Sequence, residues 1–276
     1  MLVFVHINKT AGSTVRYMLR SSYGPRHCDV EPWHAAWRDP PFSAEDLRRV
    51  RTIYPRLRSI AGHRIFGHVD LGVADTELAY LTFVRDPLKT AASRYQYHID
   101  HRGKDVAFDE WIERDWFRDA QTRRIAGIAD AQEAIRVIER RQMFVGLAER
   151  FDESMILLQA LRARDLDISY RRVNVAKRTT IATDLLANER TRQMLTEANQ
   201  QDLVLYRHVT EELYPRLQRA YGSRLDAAVA DYRRADQRFN RRNIALSRMR
   251  QHGVYRPLLS LYRRPGTRPA VETLLT

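Results

Sequence analysis

Short apolar runs alternate along the chain with stretches in which apolar residues recur every three or four positions. The runs predict buried strands, and the periodic stretches predict helices. Strands are predicted at residues 1–5, 58–60, 79–84, 143–147 and 168–178, the last leading into a basic loop. Helices are predicted at residues 15–22, 43–54, 88–97, 108–116, 119–127, 131–140, 151–161, 185–197 and 200–214. This alternation predicts an α/β domain with a largely parallel sheet flanked by helices.

Two regions depart from the alternation. Residues 24–42 contain four prolines and two tryptophans, which predicts an irregular loop. From residue 223 onward arginines recur, so we divide the chain into a domain at residues 1–222 and a basic helical accessory segment or tail at 223–276. We expect a solvated amphipathic helix and a loose tail there. The alternative is a basic surface for an acidic substrate or a partner subunit.

A candidate anion site follows the first strand, in the sequence His-Ile-Asn-Lys-Thr-Ala-Gly-Ser-Thr of residues 6–14. Strand, tight loop and helix form a common phosphate site, because the first backbone N–H groups of a helix lack intrahelical partners and the helix dipole favours an anion. Ala11 and Gly12 allow close backbone approach, and Ser13 and Thr14 offer hydroxyl groups, one of which could cap the helix. The candidate binding residues are Lys9, Thr10, Ala11, Gly12, Ser13 and Thr14.

A second candidate anion site lies at the end of the 79–84 strand. Arg85 follows this strand directly, and open α/β sheets bind ligands at the carboxyl ends of their strands. Its guanidinium can hold phosphate oxygens through two parallel hydrogen bonds. Ser93 comes eight residues later, about two helical turns along the next helix, and can face the same anion. The structural alternatives are an Arg85–Asp86 pair and a small residue at a helix crossing.

Composition narrows the class of protein. A net charge of +13 over 276 residues favours anionic partners such as a nucleotide, an acidic glycan, a nucleic acid or a membrane surface. The single cysteine, Cys28, gives no sign of an oxidising compartment, and no apolar run approaches the ~20 residues of a membrane span. Because a strand begins at Met1, we expect no signal peptide or anchor and a cytoplasmic location.

The order Lys-Thr-x-Gly-Ser-Thr after a first strand resembles the 5′-phosphosulfate loop of sulfotransferases that use 3′-phosphoadenosine-5′-phosphosulfate (PAPS), in particular the glycan O-sulfotransferase branch. Arg-Asp-Pro with Ser93 resembles the 3′-phosphate motif of the same family. Thr90 departs from it, since the family often has arginine there. Further similar segments lie at 121–127, 144–152 and 199–206, so the resemblance spans roughly residues 1–215.

The resemblance implies a P-loop-NTPase-like sheet, PAPS as the donor, no metal, and a hydroxyl group of a carbohydrate as the acceptor, with the basic balance favouring an acidic one. It implies that Lys9 stabilises charge on the leaving oxygen. It also implies that residues 174–178 precede a loop closing over the donor, which makes Lys177 and Arg178 candidate contacts.

An acceptor hydroxyl needs a general base, and histidine suits this role because its ordinary pKa is near neutral. Among nine histidines we select His68, whose Gly-His-Val context resembles that of the catalytic histidine of uronosyl 2-O-sulfotransferases. His63 is the second candidate. His34, in the tryptophan-containing loop, and His6, after the first strand, are weaker ones.

Two readings from other classes remain open. A P-loop-like nucleotide kinase would use a similar loop, but the chain lacks the Gly-Lys-[Ser/Thr] order, and Asp86 is the only weak candidate for a magnesium ligand. A non-catalytic nucleic-acid-binding protein would account for the charge, but the aromatic residues form no recognisable binding stripe. We therefore expect no nucleic acid partner.

Overall fold

The computed structural model of the chain describes residues 1–34, 40–102, 106–114, 117–170 and 180–264. It contains a sheet of five strands, which are Leu2–Val5 (β1), His27–Asp29 (β2), Ser59–Gly62 (β3), Ala79–Val84 (β4) and Phe144–Leu147 (β5). All pairings are parallel, in the order β2-β3-β1-β4-β5. The predicted α/β class with a parallel sheet flanked by helices is confirmed.

Helices cover both faces of the sheet. In chain order they are Gly12–Tyr23 (α1), Ala44–Ile53 (α2), Pro87–Arg102 (α3), Phe108–Ile112 (α4), Ala120–Ala126 (α5), Ala131–Arg140 (α6), Phe151–Leu161 (α7), Thr180–Ala187 (α8), Glu189–Ala198 (α9), Gln200–His208 (α10), Tyr214–Tyr221 (α11), Leu225–Arg234 (α12), Arg241–Arg250 (α13) and Arg256–Tyr262 (α14). A π-helical segment, Val209–Leu213, joins α10 to α11, and another, Gln251–Tyr255, joins α13 to α14.

The strand order creates the crevice expected of an open parallel sheet. The chain leaves β1 toward the β2 edge and leaves β4 toward the β5 edge, while β1 and β4 are neighbours. Loops that follow such a pair diverge at the carboxyl end of the strands, and ligands bind between them. The loop after β1 and Arg85 after β4 therefore border one crevice.

Local sequence signals account for several helix ends. Ser43 caps α2 in a reciprocal arrangement: its Oγ accepts from Asp46 N–H at 3.2 Å, and its own N–H donates to the Asp46 carboxylate at 2.8 Å. Gly127 ends α5 with a φ of 83°, a left-handed conformation that favours glycine. Both ends agree with the sequence prediction.

Some predicted elements are wrong. Residues 24–42 are not wholly irregular, because they contain the edge strand β2, which is too short and too polar to produce an apolar run. Ile168–Tyr170, predicted as strand, have no regular structure, and residues 171–179 lie outside the described ones. The predicted helix at 185–197 is divided at Asn188, whose side chain caps α9. The helix predicted at 108–116 ends at Ile112.

The C-terminal helices pack against the sheet domain. Tyr255, Leu259 and Tyr262 are buried in the main core, and α13 packs along α1. Through residue 264 this is closer packing than the solvated helix and loose tail that we expected. The division of the chain at residue 222 stays a prediction.

None of the helices in the described ranges has the length and apolar character needed to cross a bilayer.

Candidate active site

The loop between β1 and α1 has a tight, partly left-handed backbone. Lys9 and Ala11 have φ values of 67° and 65°. The Thr10 hydroxyl is buried and donates to the Ile7 carbonyl at 3.0 Å, which closes the turn from inside. Ala11, rather than Ser13 or Thr14, occupies the N-cap of α1, and no side chain caps the helix. The Thr14 and Val15 N–H groups donate to the Ala11 carbonyl, at 3.0 and 3.4 Å, and the dipole of α1 favours an anion at this end.

A pair of histidines lies directly under this loop. The His6 ring is buried, and a Cβ on Gly12 would lie 1.9 Å from its Nε2. Only glycine fits at position 12 with His6 in place. The His63 ring, which follows β3, stacks on His6 with 3.9 Å between centroids. His63 itself is exposed to solvent, whereas His6 is buried. Desolvation by the surrounding protein, followed by the charges of Arg124 and Arg16, lowers the pKa of His63 to about 4, and burial and His63 lower the pKa of His6.

The Lys9 ammonium lies over the ring of Tyr97 on α3, 4.7 Å from its centroid. Partial burial and the charge of Arg85 lower the pKa of Lys9, while Asp100 acts in the opposite direction. Tyr97 therefore gives the ammonium an aromatic contact at the edge of the crevice. An anion bound beside Lys9 and Arg85 would relieve the repulsion between these two cations.

Arg85 and the loop are in direct contact. Arg85 Nη1 donates to the Lys9 carbonyl at 3.2 Å. The Gln121 side chain pairs with the Arg85 backbone, accepting from its N–H at 3.0 Å and donating to its carbonyl at 2.8 Å. The Asp86 carboxylate accepts from Lys89 N–H at 2.9 Å and so caps α3. Asp86 has this structural role in place of the Arg85–Asp86 pair considered from the sequence.

Gln121 is itself positioned by two reciprocal helix caps. The Asp202 carboxylate accepts from the N–H groups of Gln121 and Thr122, at 3.0 and 2.7 Å, and so caps α5. Asp119 Oδ1 accepts from Gln201 and Asp202 N–H, at 2.8 and 3.0 Å, and so caps α10. Burial raises the pKa of Asp202 to about 6, although the two backbone N–H groups act to lower it. This arrangement fixes α5 over the end of β4.

Sequence reasoning missed this supporting arrangement. The segments at 121–127 and 199–206 were noted for their family resemblance, but no role was given to Gln121 or Asp202. The available signal was a polar residue in the first turn of each helix, Gln121 in α5 and Asp202 in α10, where a side chain can reach another helix end.

The other residues considered as donor contacts differ in burial, and two of them lie outside the described residues. Ser93 lies partly buried on α3. Thr90 is buried, and its hydroxyl has no hydrogen-bond partner among the described residues. Lys177 and Arg178 lie outside the described residues.

The two leading histidines occupy different surroundings. His68 is partly buried against the end of α5, where a Cβ on Gly127 would lie 2.5 Å from its Cε1, and its ring packs edge-on against Phe66. Burial lowers its pKa. His63, by contrast, is stacked under the Gly12 loop. Of the weaker candidates, His6 is buried there too, whereas His34 packs against Tyr262 of α14.

Within the described part of the chain, no three histidine, cysteine, aspartate or glutamate side chains converge as a metal site would require.

A family model matches the second half of the chain. The family model described as galactose-3-O-sulfotransferase matches residues 115–256, just over half of the chain, including α5 and α10. The chain belongs to the galactose-3-O-sulfotransferase family. The matched region extends past residue 215, where the motif resemblance ended, and contains α12, α13 and Tyr255.

Curated relatives agree with this membership. The chain is 26% identical over 270 residues to galactosylceramide sulfotransferase of Bos taurus, covering 87% of the chain and 63% of the relative. It is 24% identical over 266 residues to the Mus musculus enzyme of that name, covering 86% and 62%. The chain thus spans somewhat less than two thirds of the length of these relatives.

Proposed function

We propose that the protein transfers the sulfuryl group of PAPS to a hydroxyl group of a carbohydrate or glycolipid. The observation that carries the proposal is the contact between Arg85 and the Lys9 loop at the β1–β4 crevice. It joins two cationic anion-binding elements at the place where parallel sheets bind ligands. Family membership supplies the chemistry, and the glycolipid enzymes among the relatives support the acceptor class.

The donor would be held at both of its anionic ends. The uncapped N–H groups of α1, with Ser13 and Thr14, would hold the 5′-phosphosulfate. Arg85 and Ser93 would hold the 3′-phosphate, and Lys177 and Arg178 stay predicted contacts.

In the reaction, the acceptor oxygen forms a bond to sulfur while the bridging sulfur–oxygen bond breaks. Lys9 stabilises the negative charge that grows on the leaving phosphate oxygen. Adenosine 3′,5′-bisphosphate leaves, and the acceptor proton passes to a histidine.

For that histidine the sequence prediction is His68, and the stacked position of His63 under the loop makes His63 its direct competitor. A base on either side chain must be neutral to accept a proton. The lowered pKa values of both residues keep them neutral near pH 7.

Calorimetric titration tests the donor assignment. Adenosine 3′,5′-bisphosphate should bind about 10- to 100-fold more tightly than 5′-AMP, because a charge-assisted phosphate contact contributes about 1.5–3 kcal/mol. Equal affinities would overturn the assignment. Tighter binding of ATP with magnesium would favour a kinase instead.

The base is tested once radiolabelled PAPS has identified an acceptor among glycans and glycolipids. Replacement of the true base by alanine should reduce the transfer rate by about 10²–10⁴-fold and leave the affinity for the bisphosphate nearly unchanged. His68→Ala and His63→Ala are therefore compared side by side. Full activity in His68→Ala beside an inactive His63→Ala would remove His68 from the mechanism.

A further inference from the structure

Arg124, in the last turn of α5, has no acidic partner among the residues that the structure describes. Its guanidinium lies over one face of Phe66, 4.4 Å from the ring centroid, and the Arg64 guanidinium lies 5.6 Å from the same centroid. Arg124 Nη1 is buried, and no hydrogen-bond acceptor or carboxylate contacts it in the part of the chain that the structure describes. Two arginines thus converge on one aromatic ring.

The electrostatic surroundings of Arg124 are unfavourable to its charge. Burial, and to a lesser extent the neighbouring cations Arg64 and Arg94, lower its pKa to about 10. An uncompensated charge in a partly dry environment costs folding free energy, so such groups are typical of binding sites whose ligand supplies the opposite charge.

The position of Arg124 separates it from the donor anions. α5 crosses the carboxyl edge of the sheet: Gln121 in its first turn pairs with Arg85 after β4, and the Arg124 carbonyl accepts from Gly67 N–H after β3. Arg124 acts on the pKa of His63 and His6, whereas Lys9 is acted on by Arg85 and Asp100. The charge of Arg124 therefore acts on the two histidines, and the charge of Arg85 acts on Lys9.

We propose that Arg124 and Arg64 form a binding site for a carboxylate or sulfate group of the acceptor, so that the acceptor is an acidic glycan. The inference rests on the proposed sulfuryl transfer. In that reaction the acceptor must enter beside the base, and His63 is a neighbour of Arg124. The guanidinium groups have the planar donor geometry that oxyanions require.

A binding experiment tests this without a known activity. The full chain, saturated with adenosine 3′,5′-bisphosphate to fill the donor anion sites, is titrated with trigalacturonic acid and with neutral maltotriose. The wild type should bind the acidic trimer, and Arg124→Gln should weaken this binding by about 10- to 100-fold, the range expected for a lost charge-assisted contact. Arg136→Gln, on the exposed face of α6, is the matched control and should bind as the wild type does.

Stability and donor binding separate the possible outcomes. Arg124→Gln should keep the bisphosphate affinity and should melt at the same or a higher temperature, because it removes an uncompensated charge. A lower melting temperature together with unchanged trimer binding would make Arg124 structural and overturn the site. Loss of PAPS affinity alone would assign the guanidinium to the donor sulfuryl group and overturn the acceptor assignment. Trimer binding that depends on Arg124, without a preference for bisphosphate over AMP, would keep the anion site and overturn the proposed donor.

Discussion

Two buried glutamines make the same pair of bonds at two places on the sheet. Gln121 accepts from the N–H of Arg85 and donates to its carbonyl, and Gln251 does the same to Asp29, at 3.2 and 2.7 Å. In each case a primary amide takes the place of a neighbouring strand. Gln121 acts just beyond the end of β4, and Gln251 acts on the outer edge of β2.

The surroundings of the two glutamines differ in what they can bind. Beside Gln251 lie Cys28 and Tyr255, both buried, and the Tyr255 hydroxyl continues the edge pairing by accepting from Glu31 N–H at 3.0 Å and donating to its carbonyl at 2.9 Å. Beside Gln121 lie cations of the crevice. The same bonding pattern therefore satisfies a sheet edge in one place and positions a candidate ligand-binding arginine in the other.

The largest effect that would test this contrast is on catalysis. Lys9→Met should lower the single-turnover transfer rate by about 10²–10³-fold, because the charge on the leaving oxygen loses its stabilising cation. The affinity for the bisphosphate should change much less, since the N–H groups of α1 remain. Lys9→Arg, which keeps the charge, should retain more activity. A variant that loses affinity but keeps its rate at saturating donor would make Lys9 a binding residue only.

The next effect is on stability at the sheet edge. Gln251→Leu should lower the free energy of unfolding by about 2–4 kcal/mol, because the buried N–H and carbonyl of Asp29 lose their partners. Chemical denaturation measures this, with Gln193→Leu on the exposed face of α9 as the control. The preference for bisphosphate over AMP should stay as in the wild type. A changed preference would show that the edge also serves the crevice.

Replacement of Gln121 is expected to affect both donor binding and stability. Gln121→Leu should weaken bisphosphate binding by about 10-fold, because the Arg85 backbone loses both bonds that position it. The ratio of the affinity for bisphosphate to the affinity for AMP should fall as well. Gln121→Glu keeps an acceptor for the Arg85 N–H but has no donor for the carbonyl, so its affinity should be intermediate. If both variants only lose stability, the contrast between the two glutamines disappears.

The smallest effect is a pH dependence at Asp202. Its folded pKa of about 6 lies above the value of an unfolded aspartate, so the folded state binds the proton more tightly. The stabilisation is present at low pH and is lost as pH rises through about 6. Between pH 7 and pH 5 the wild type should therefore gain about 1 kcal/mol relative to Asp202→Asn, measured by denaturation at each pH. If the free energy of unfolding changed with pH in the same way for the wild type and Asp202→Asn, the raised pKa of Asp202 would be contradicted.

The contrast also shows where sequence reasoning succeeds. The strands β1 and β4, the loop at residues 6–14 and Arg85 could be predicted because each is marked by adjacent residues: an apolar run followed at once by polar or small side chains. Ser43 and Gly127 were predictable for the same reason, since helix ends are set by one or two residues.

Contacts between distant segments could not be predicted in this way. Gln121 and Gln251 are ordinary polar residues in helical sequence, and β2 has no periodic pattern at all. Their partners lie 36 and 222 positions away in the chain. Nothing in the local sequence indicates which backbone group a long polar side chain will meet.

The sequence by itself determined the alternation of strands and helices and indicated the two candidate anion-binding motifs, because backbone propensity, capping and burial act over a few neighbouring residues. Only the tertiary structure decided that His63 stacks on His6, that Arg124 meets no acidic side chain among the described residues, and that the C-terminal helices close the sheet edge. These features depend on strand order and on the crossing of α5 over the sheet, and such long-range geometry is set by packing of the whole chain.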